Sequence, residues 1–224
     1  GKIACPGFRV SGNPLAVKDR AKVLVPADGP AQEDHDVSVA GGTHLTALLV
    51  PDRKDADHGL DLPRDQQGLL LTIRERTDLK RDSVTEVEVY FNSLNEITIA
   101  KAGVIVEGIL TAPLLDITLS NGTTFSAEID VLDLMISVTG KSYVTLTGEA
   151  LYQSADISTA EYNASALKTM STMVSSSHNA ITKVDATQRL QAKTATGGKV
   201  YYKSLPEILR REIPVFGGEI ALMR

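Results

Sequence analysis

The feature of this chain that most constrains its fold is a change in residue periodicity near residue 155. From Leu69 to Gly148 the sequence is a series of short apolar or alternating segments, which are typical of β-strands. From Ser158 to Lys193 it is rich in Ser, Thr and Ala and has helical spacing. The change favours a β-rich body followed by a helical segment over alternating β and α units.

Two turn signals in the β-rich region predict antiparallel pairing. Asn121-Gly122 lies between two alternating segments, and this dipeptide favours a type I′ hairpin, which needs positive φ at both central residues. Thr139-Gly140-Lys141 predicts a second hairpin. Strands connected in this way indicate an antiparallel sandwich or barrel, and we find no internal repeat at a fixed period.

Capping-box spacing supports the helical prediction. Ser158 and Glu161 are three residues apart, so each side chain can bond the other residue's backbone amide at a helix start. A second such pair, Ser204 and Glu207, predicts a short helix to about Arg211. Four apolar residues then fall near one face of the first helix: Tyr162, Leu167, Met170 and Val174.

These patterns predict a mainly β fold of the α+β class in three parts. Residues 1–20 form an N-terminal arm, residues 21–150 the β-rich body, and residues 151–224 the helical segment plus a closing strand on the same domain. The single cysteine excludes an intrachain disulfide. No apolar run approaches the roughly 18 residues that a membrane span needs.

Charge is unevenly distributed along the chain, whose net charge is −5. Between Asp28 and Asp65 there are nine acidic and three basic residues, whereas from Ala166 onward there are nine basic and four acidic residues. This asymmetry favours contact between copies of the chain or with a charged partner, and two solvated regions of opposite sign are the alternative. Aromatic residues make up only 4% and Trp is absent, which weighs against sugar-binding or base-stacking surfaces.

The acidic loops contain the only metal-ligand candidates. Asp55, Asp57 and Asp61 have carboxylate spacing that suits calcium, but Gly59 and Gln66 occupy positions where further oxygen ligands are expected. We therefore predict an acidic surface loop without a bound metal, and no cofactor.

Motifs for catalysis are also missing from the sequence. Gly140-Lys141-Ser142 resembles the end of a phosphate loop, but Met135 stands where that loop requires glycine. His35 and His58 lie beside aspartates, so residues 34–36 and 55–58 are the only candidates for a non-local Asp/His site. The sequence favours a protein that is not an enzyme.

The combination of an irregular arm, a β-rich body and acidic loops suggests a self-assembling structural subunit, such as a viral or phage virion component of the capsid, matrix or tail type. In this interpretation Asp34 and Asp36 of one copy meet Arg210 and Arg211 of the next. The partners are then other copies or structural subunits, in a virion or the cytoplasm. The basic C-terminal third also makes nucleic acid a candidate partner.

Two alternatives belong to other functional classes. The first is a β-sandwich binding module that recognises a protein or small ligand through the acidic loops 27–36 and 51–67. The second is an enzyme that uses the Asp/His positions named above.

Overall fold

The chain is all-β in the part that the structure describes. A computed structural model describes residues 19–25, 36–40, 45–50, 60–61, 70–75, 85–91 and 93–224, which form 15 strands and no helix. The strands are β1 (Asp19–Val25), β2 (Asp36–Ala40), β3 (Leu45–Val50), β4 (Leu60–Asp61), β5 (Leu70–Glu75), β6 (Thr85–Phe91), β7 (Glu96–Ala100), β8 (Gly103–Ser120), β9 (Thr124–Val138), β10 (Tyr143–Ser158), β11 (Glu161–Ser177), β12 (Ile181–Ala195), β13 (Lys199–Tyr202), β14 (Ile208–Val215) and β15 (Glu219–Leu222).

From β7 onward the strands stack in parallel and form a β-solenoid of about seven turns. Each strand from β8 to β12 is 15 to 18 residues long and lies directly on the next one along the chain. Paired residues in this stack are 17 to 21 positions apart. The chain therefore does repeat, but the length of its repeat varies, which hides the repeat in the sequence.

Pairing changes to antiparallel at the N-terminal end of the solenoid. β1 pairs antiparallel with β6 and with the first residues of β8, and β2 pairs antiparallel with β5 and β7. β7 pairs in parallel with the last residues of β8. Strands thus cover both ends of the exposed edge that β8 would otherwise present.

The long strands bend as they pass around the core, and β11 shows the bends most clearly. Its alternation of buried and exposed residues is interrupted at Ser165-Ala166 and again at Met170-Ser171. The interruptions divide the strand into three segments that all direct side chains into one core. The buried residues of these segments are Tyr162 and Ala164, then Leu167 and Thr169, then Thr172, Val174 and Ser176.

Left-handed residues turn the chain from one coil into the next. The amide N–H of Gly122 donates to the carbonyl of Gly140 (2.6 Å), and that of Lys141 donates to the carbonyl of Thr159 (2.6 Å), so successive turns stack. Each turn contains at least one non-glycine residue at positive φ, a conformation that L-residues rarely adopt. These residues are Lys101, Asn121, Lys141, Thr159, His178, Asn179, Thr196 and Phe216.

Gly148 allows two coils to approach closely. It has a φ of +103° and is paired with Ile129 of the preceding coil and Leu167 of the following one. A Cβ at this position would overlap the carbonyl oxygen of Ile129. Glycine is therefore required here both by backbone conformation and by packing.

A hydrogen-bonded polar network crosses the aliphatic core. The side-chain amide of Gln153 donates to the Tyr162 hydroxyl, and the Thr172 hydroxyl donates to Gln153 Oε1 (3.2 Å). Thr169 contacts Thr172 (2.6 Å between hydroxyl oxygens) and donates to the carbonyl of Asp185 (2.9 Å). All four network side chains are buried, so these bonds offset the cost of removing their polar atoms from water.

The prediction of an antiparallel sandwich or barrel with a C-terminal helix is wrong. Positive φ at Asn121 and Gly122 is confirmed, but the turn joins strands that stack in parallel, so it is not a hairpin. The predicted helical segment forms β11 and β12, and the predicted short helix after Ser204 is replaced by β14. β10 runs through the predicted boundary at residue 150, and most of the predicted arm lies outside the described residues.

Replacing Gly148 with alanine is expected to destabilise the solenoid by about 3 kcal/mol, because it adds backbone strain and a clash with Ile129. The melting temperature should fall by about 6–12 °C in a calorimetric scan. Gly122→Ala is the matched control: Gly122 has a φ of +82°, but no atom lies within 4 Å of its Cβ position. Its expected cost is about 1 kcal/mol. Equal losses for the two variants would contradict the proposed close packing.

Alkaline pH is expected to destabilise the protein through Tyr162. Burial raises the pKa of the Tyr162 phenol, with a smaller opposing effect from its bond to Gln153. The unfolded chain releases this proton near pH 10, whereas the folded chain retains it, so the stabilisation is full below about pH 10 and decreases above it. Urea unfolding at pH 10 and pH 11 should show that Tyr162→Phe loses about 1 kcal/mol less than the wild type over this interval.

Tyr143→Phe, which changes a 55% exposed phenol, is the control and should follow the wild-type pH dependence. An unchanged pH dependence in Tyr162→Phe would show that other groups cause the alkaline loss.

Candidate functional site

A groove runs along the stacked turns that join β9 to β10, β10 to β11 and β11 to β12. We call it the turn groove, and its volume is about 220 Å³. The polar and aromatic residues that line it are Lys141, Ser142, Tyr143, Thr159, Glu161, His178 and Asn179. They are brought together because equivalent positions of successive coils lie side by side.

Backbone geometry fixes the positions of these residues. Lys141, Thr159 and His178 all have positive φ, between 52° and 57°. Tyr143 and Glu161 follow their turns and are directly paired between β10 and β11. Because the turns are tied together by backbone hydrogen bonds, the groove is part of the rigid solenoid.

His178 is oriented by two hydroxyl groups. Its Nδ1 atom lies 3.1 Å from the Ser158 hydroxyl and 3.2 Å from the Ser177 hydroxyl. These contacts hold the ring at the edge of the turn groove. The Ser158–His178 pair has the donor–acceptor distance of a catalytic dyad, but no carboxylate contacts His178 among the described residues, so we interpret the pair as an orienting contact.

The turn groove combines the chemical groups that recognise a hydroxylated ligand. The carboxylate of Glu161 accepts hydrogen bonds, the ammonium of Lys141 donates them, and the amide of Asn179 does both. Tyr143 adds an exposed aromatic ring, which packs against apolar C–H surfaces and carries a polar hydroxyl.

A second groove follows the bend between the second and third of the segments that direct side chains into the core, which in β11 lies at Met170-Ser171. Its volume is about 380 Å³, and Leu132, Leu151 and Met170 occupy the same position in three successive coils along it. Leu132 is 58% exposed and Leu151 is 39% exposed. We call these three residues the bend ridge. Asp130, Glu149 and Lys168 lie beside it in β9, β10 and β11, so its border carries both signs of charge.

Most of the acidic-loop residues that the sequence singled out lie outside the described residues. Asp55, Asp57, His35 and His58 belong to this group, as does Asp34. Asp61 ends β4, Asp36 begins β2, and both are paired with Arg74 of β5. Among the described residues no cluster of three or more metal-ligating side chains occurs.

The two predicted basic contacts are both placed on β14. Arg210 is exposed and is paired with Gln191, whereas Arg211 donates to the Tyr202 hydroxyl and stacks over its ring at 5.6 Å. Their role in assembly stays a prediction, as does nucleic-acid binding by the basic C-terminal third. Across the described ranges no helix is long and apolar enough to cross a membrane.

Most of the chain matches one known protein family. Residues 67–206 match the family model described as a putative auto-transporter adhesin, head GIN domain. The chain belongs to this head GIN domain family. No curated protein matches it.

A solved structure supports the same fold for this head GIN domain. The chain is similar to a putative adhesin from Bacteroides fragilis, with a TM-score of 0.59 and 19% sequence identity, over 74% of this chain and 77% of that chain.

The prediction of a self-assembling virion subunit is wrong, because the family is described as adhesin-like. The β-sandwich binding module is also wrong, because the fold is a solenoid.

Sequence reasoning missed both grooves of the head GIN domain. Their residues are separated by about one coil, and the coil length varies, so they form no local motif. One signal was present: Leu132, Leu151 and Met170 are spaced by 19 residues each. This spacing becomes meaningful only when a solenoid is considered.

Proposed function

We propose that the protein is an adhesin-type recognition module that binds a hydroxyl-rich ligand, such as a carbohydrate, in the turn groove. The observation that carries the proposal is the pairing of Tyr143 with Glu161 beside Lys141, His178 and Asn179 on a rigid surface. An aromatic ring with converging donors and acceptors suits a ligand that has apolar C–H faces and many hydroxyl groups. Membership in an adhesin-like family supports a binding function without catalysis.

The low aromatic content of the chain does not oppose this proposal. A single exposed ring at the centre of a polar groove is sufficient for one subsite, and Tyr143 is 55% exposed. A rigid site also reduces the entropy cost of binding, because its side chains are held by the solenoid before the ligand arrives. The open shape of the groove predicts contact with an extended chain or chain end, not enclosure of a small molecule.

Binding of the full chain to a glycan array, followed by calorimetry with the best-bound oligosaccharide, tests this function. Tyr143→Ala is expected to weaken binding about tenfold or more, because aromatic anchors dominate such contacts. Glu161→Gln should also weaken binding, because it replaces a charged acceptor. Tyr152→Ala is the matched control in calorimetry with an oligosaccharide that fills a single groove, since Tyr152 is similarly exposed (47%) on another side of the solenoid.

Two results would contradict the proposal. One is the absence of binding to any oligosaccharide on the array by folded wild-type protein. The other is wild-type affinity in Tyr143→Ala, which would place the ligand elsewhere on the surface.

A further inference from the structure

In each long strand, the third of the segments that direct side chains into the core (Thr172, Val174 and Ser176 in β11) also has an outward-facing side. This outer surface carries two rows of residues, and each row is complementary in charge to the same row of a second copy. Each row takes one residue from β8, β9, β10, β11, β12 and β14, in that order. The first row is Leu114, Asp133, Tyr152, Ser171, Arg189 and Ile208. The second row is Asp116, Met135, Ser154, Met173, Gln191 and Arg210. We call this surface the two-row face.

Charge changes sign along the two-row face. Its acidic residues, Asp116 and Asp133, belong to the first two coils, whereas its basic residues, Arg189 and Arg210, belong to the last two. In the described part of the chain none of these four side chains forms an ion pair within the molecule. Their charges therefore remain available for contact with another molecule.

Exposed apolar side chains lie between the charged ends of the face, beside Ser154 and Ser171. Tyr152 is 47% exposed, Met135 is 47% exposed and Met173 is 54% exposed. Leu114 and Ile208 are also about half exposed at the two ends of the first row. Exposed apolar side chains grouped in this way are typical of a contact surface.

We propose that two copies of the chain associate through their two-row faces, with antiparallel solenoid axes. A two-fold axis that lies in the interface and runs parallel to the strands reverses the order of the coils but keeps each row opposite itself. Asp133 of one copy then faces Arg189 of the other, and Asp116 faces Arg210. Leu114 faces Ile208 in the same arrangement.

Electrostatic repulsion disfavours the opposite orientation of the two copies. With parallel solenoid axes each coil would face the same coil of the second copy and the two rows would exchange. The acidic ends of the two faces, with Asp116 and Asp133, would then lie against each other, and so would the basic ends, with Arg189 and Arg210. Like charges placed opposite each other disfavour association. The antiparallel arrangement converts the same residues into four ion pairs around a centre that contains Tyr152 and Met173, which is the pattern of a two-fold interface.

The size of the face predicts a weak dimer. Six strands about 4.8 Å apart, and two alternating rows that occupy about four residues along each strand, give a face of roughly 24 Å by 13 Å. Two copies would bury about 600 Å², or about 800 Å² with part of the bend ridge, which is below the usual range for stable complexes. We therefore expect micromolar association that weakens as salt is added, because much of it depends on exposed ion pairs.

Sedimentation velocity of the full chain over a range of concentrations, in about 50 mM and about 500 mM NaCl, tests the dimer. Asp133→Arg and Arg189→Asp are each expected to weaken association about tenfold, because each places like charges opposite each other. The double variant Asp133→Arg/Arg189→Asp should restore association to near the wild-type level. Only the proposed cross-copy contact predicts this recovery.

Two further variants make the test specific. Glu128→Arg changes the net charge as Asp133→Arg does, but at an exposed site in the first half of β9, so it should leave association unchanged. Tyr152→Ala should weaken association while leaving ligand binding in the turn groove intact. Circular dichroism confirms that each variant is folded, and the double variant remains informative even if one single variant is not.

A strictly monomeric wild type at about 0.5 mM in low salt would overturn the proposal. So would a dimer that is insensitive to Asp133→Arg, Arg189→Asp and Tyr152→Ala, or a double variant that stays as weak as the single ones.

Discussion

The parallel backbone ladder is the constraint on which the rest of the structure depends. Every coil must present its N–H and C=O groups to the next coil, so the chain has to return to the same place after each circuit. Left-handed turn residues such as Asn121 and Thr159 make that return short. Gly148 lets neighbouring backbones come close where a side chain would separate them. The variable coil length is accommodated at the bends, where the register shifts, while the ladder on both sides is preserved.

The same register explains the polar interior. Residues at equivalent positions form columns, and one inner column contains, in order, Leu115, Leu134, Gln153, Thr172 and Leu190. Gln153 and Thr172 are neighbours in this column, so each supplies a hydrogen-bond partner to the other. A single polar residue in the column would be buried without a partner and would cost stability. Stacking therefore makes polar residues tolerable in groups, as the buried Thr169 and Thr172 of β11 show.

The sequence revealed most of the strands between Leu69 and Gly148 but not how they pair. Alternation has a period of two in antiparallel hairpins and in solenoid coils alike, and positive φ at Asn121-Gly122 suits both kinds of turn. The helix prediction failed for a related reason. Each bend adds an exposed residue, so the buried Leu167 and Val174 are seven positions apart, as they would be on one face of a helix. Neither groove was predictable, because both depend on which residues meet in adjacent coils.

The stacking of coils that builds the core also fixes the position of the turn groove relative to the two-row face. The two-fold axis proposed for the dimer runs parallel to the strands, so it maps the turn edge of one copy onto the turn edge of the other. Tyr143 and Glu161 belong to β10 and β11, the middle pair of the six coils, and therefore lie near this axis. The two turn grooves of a dimer would lie on the same side and close together. A ligand with repeated units would then engage both grooves, and the second contact would be intramolecular, so a weak dimer with weak single sites would still bind a repetitive ligand tightly.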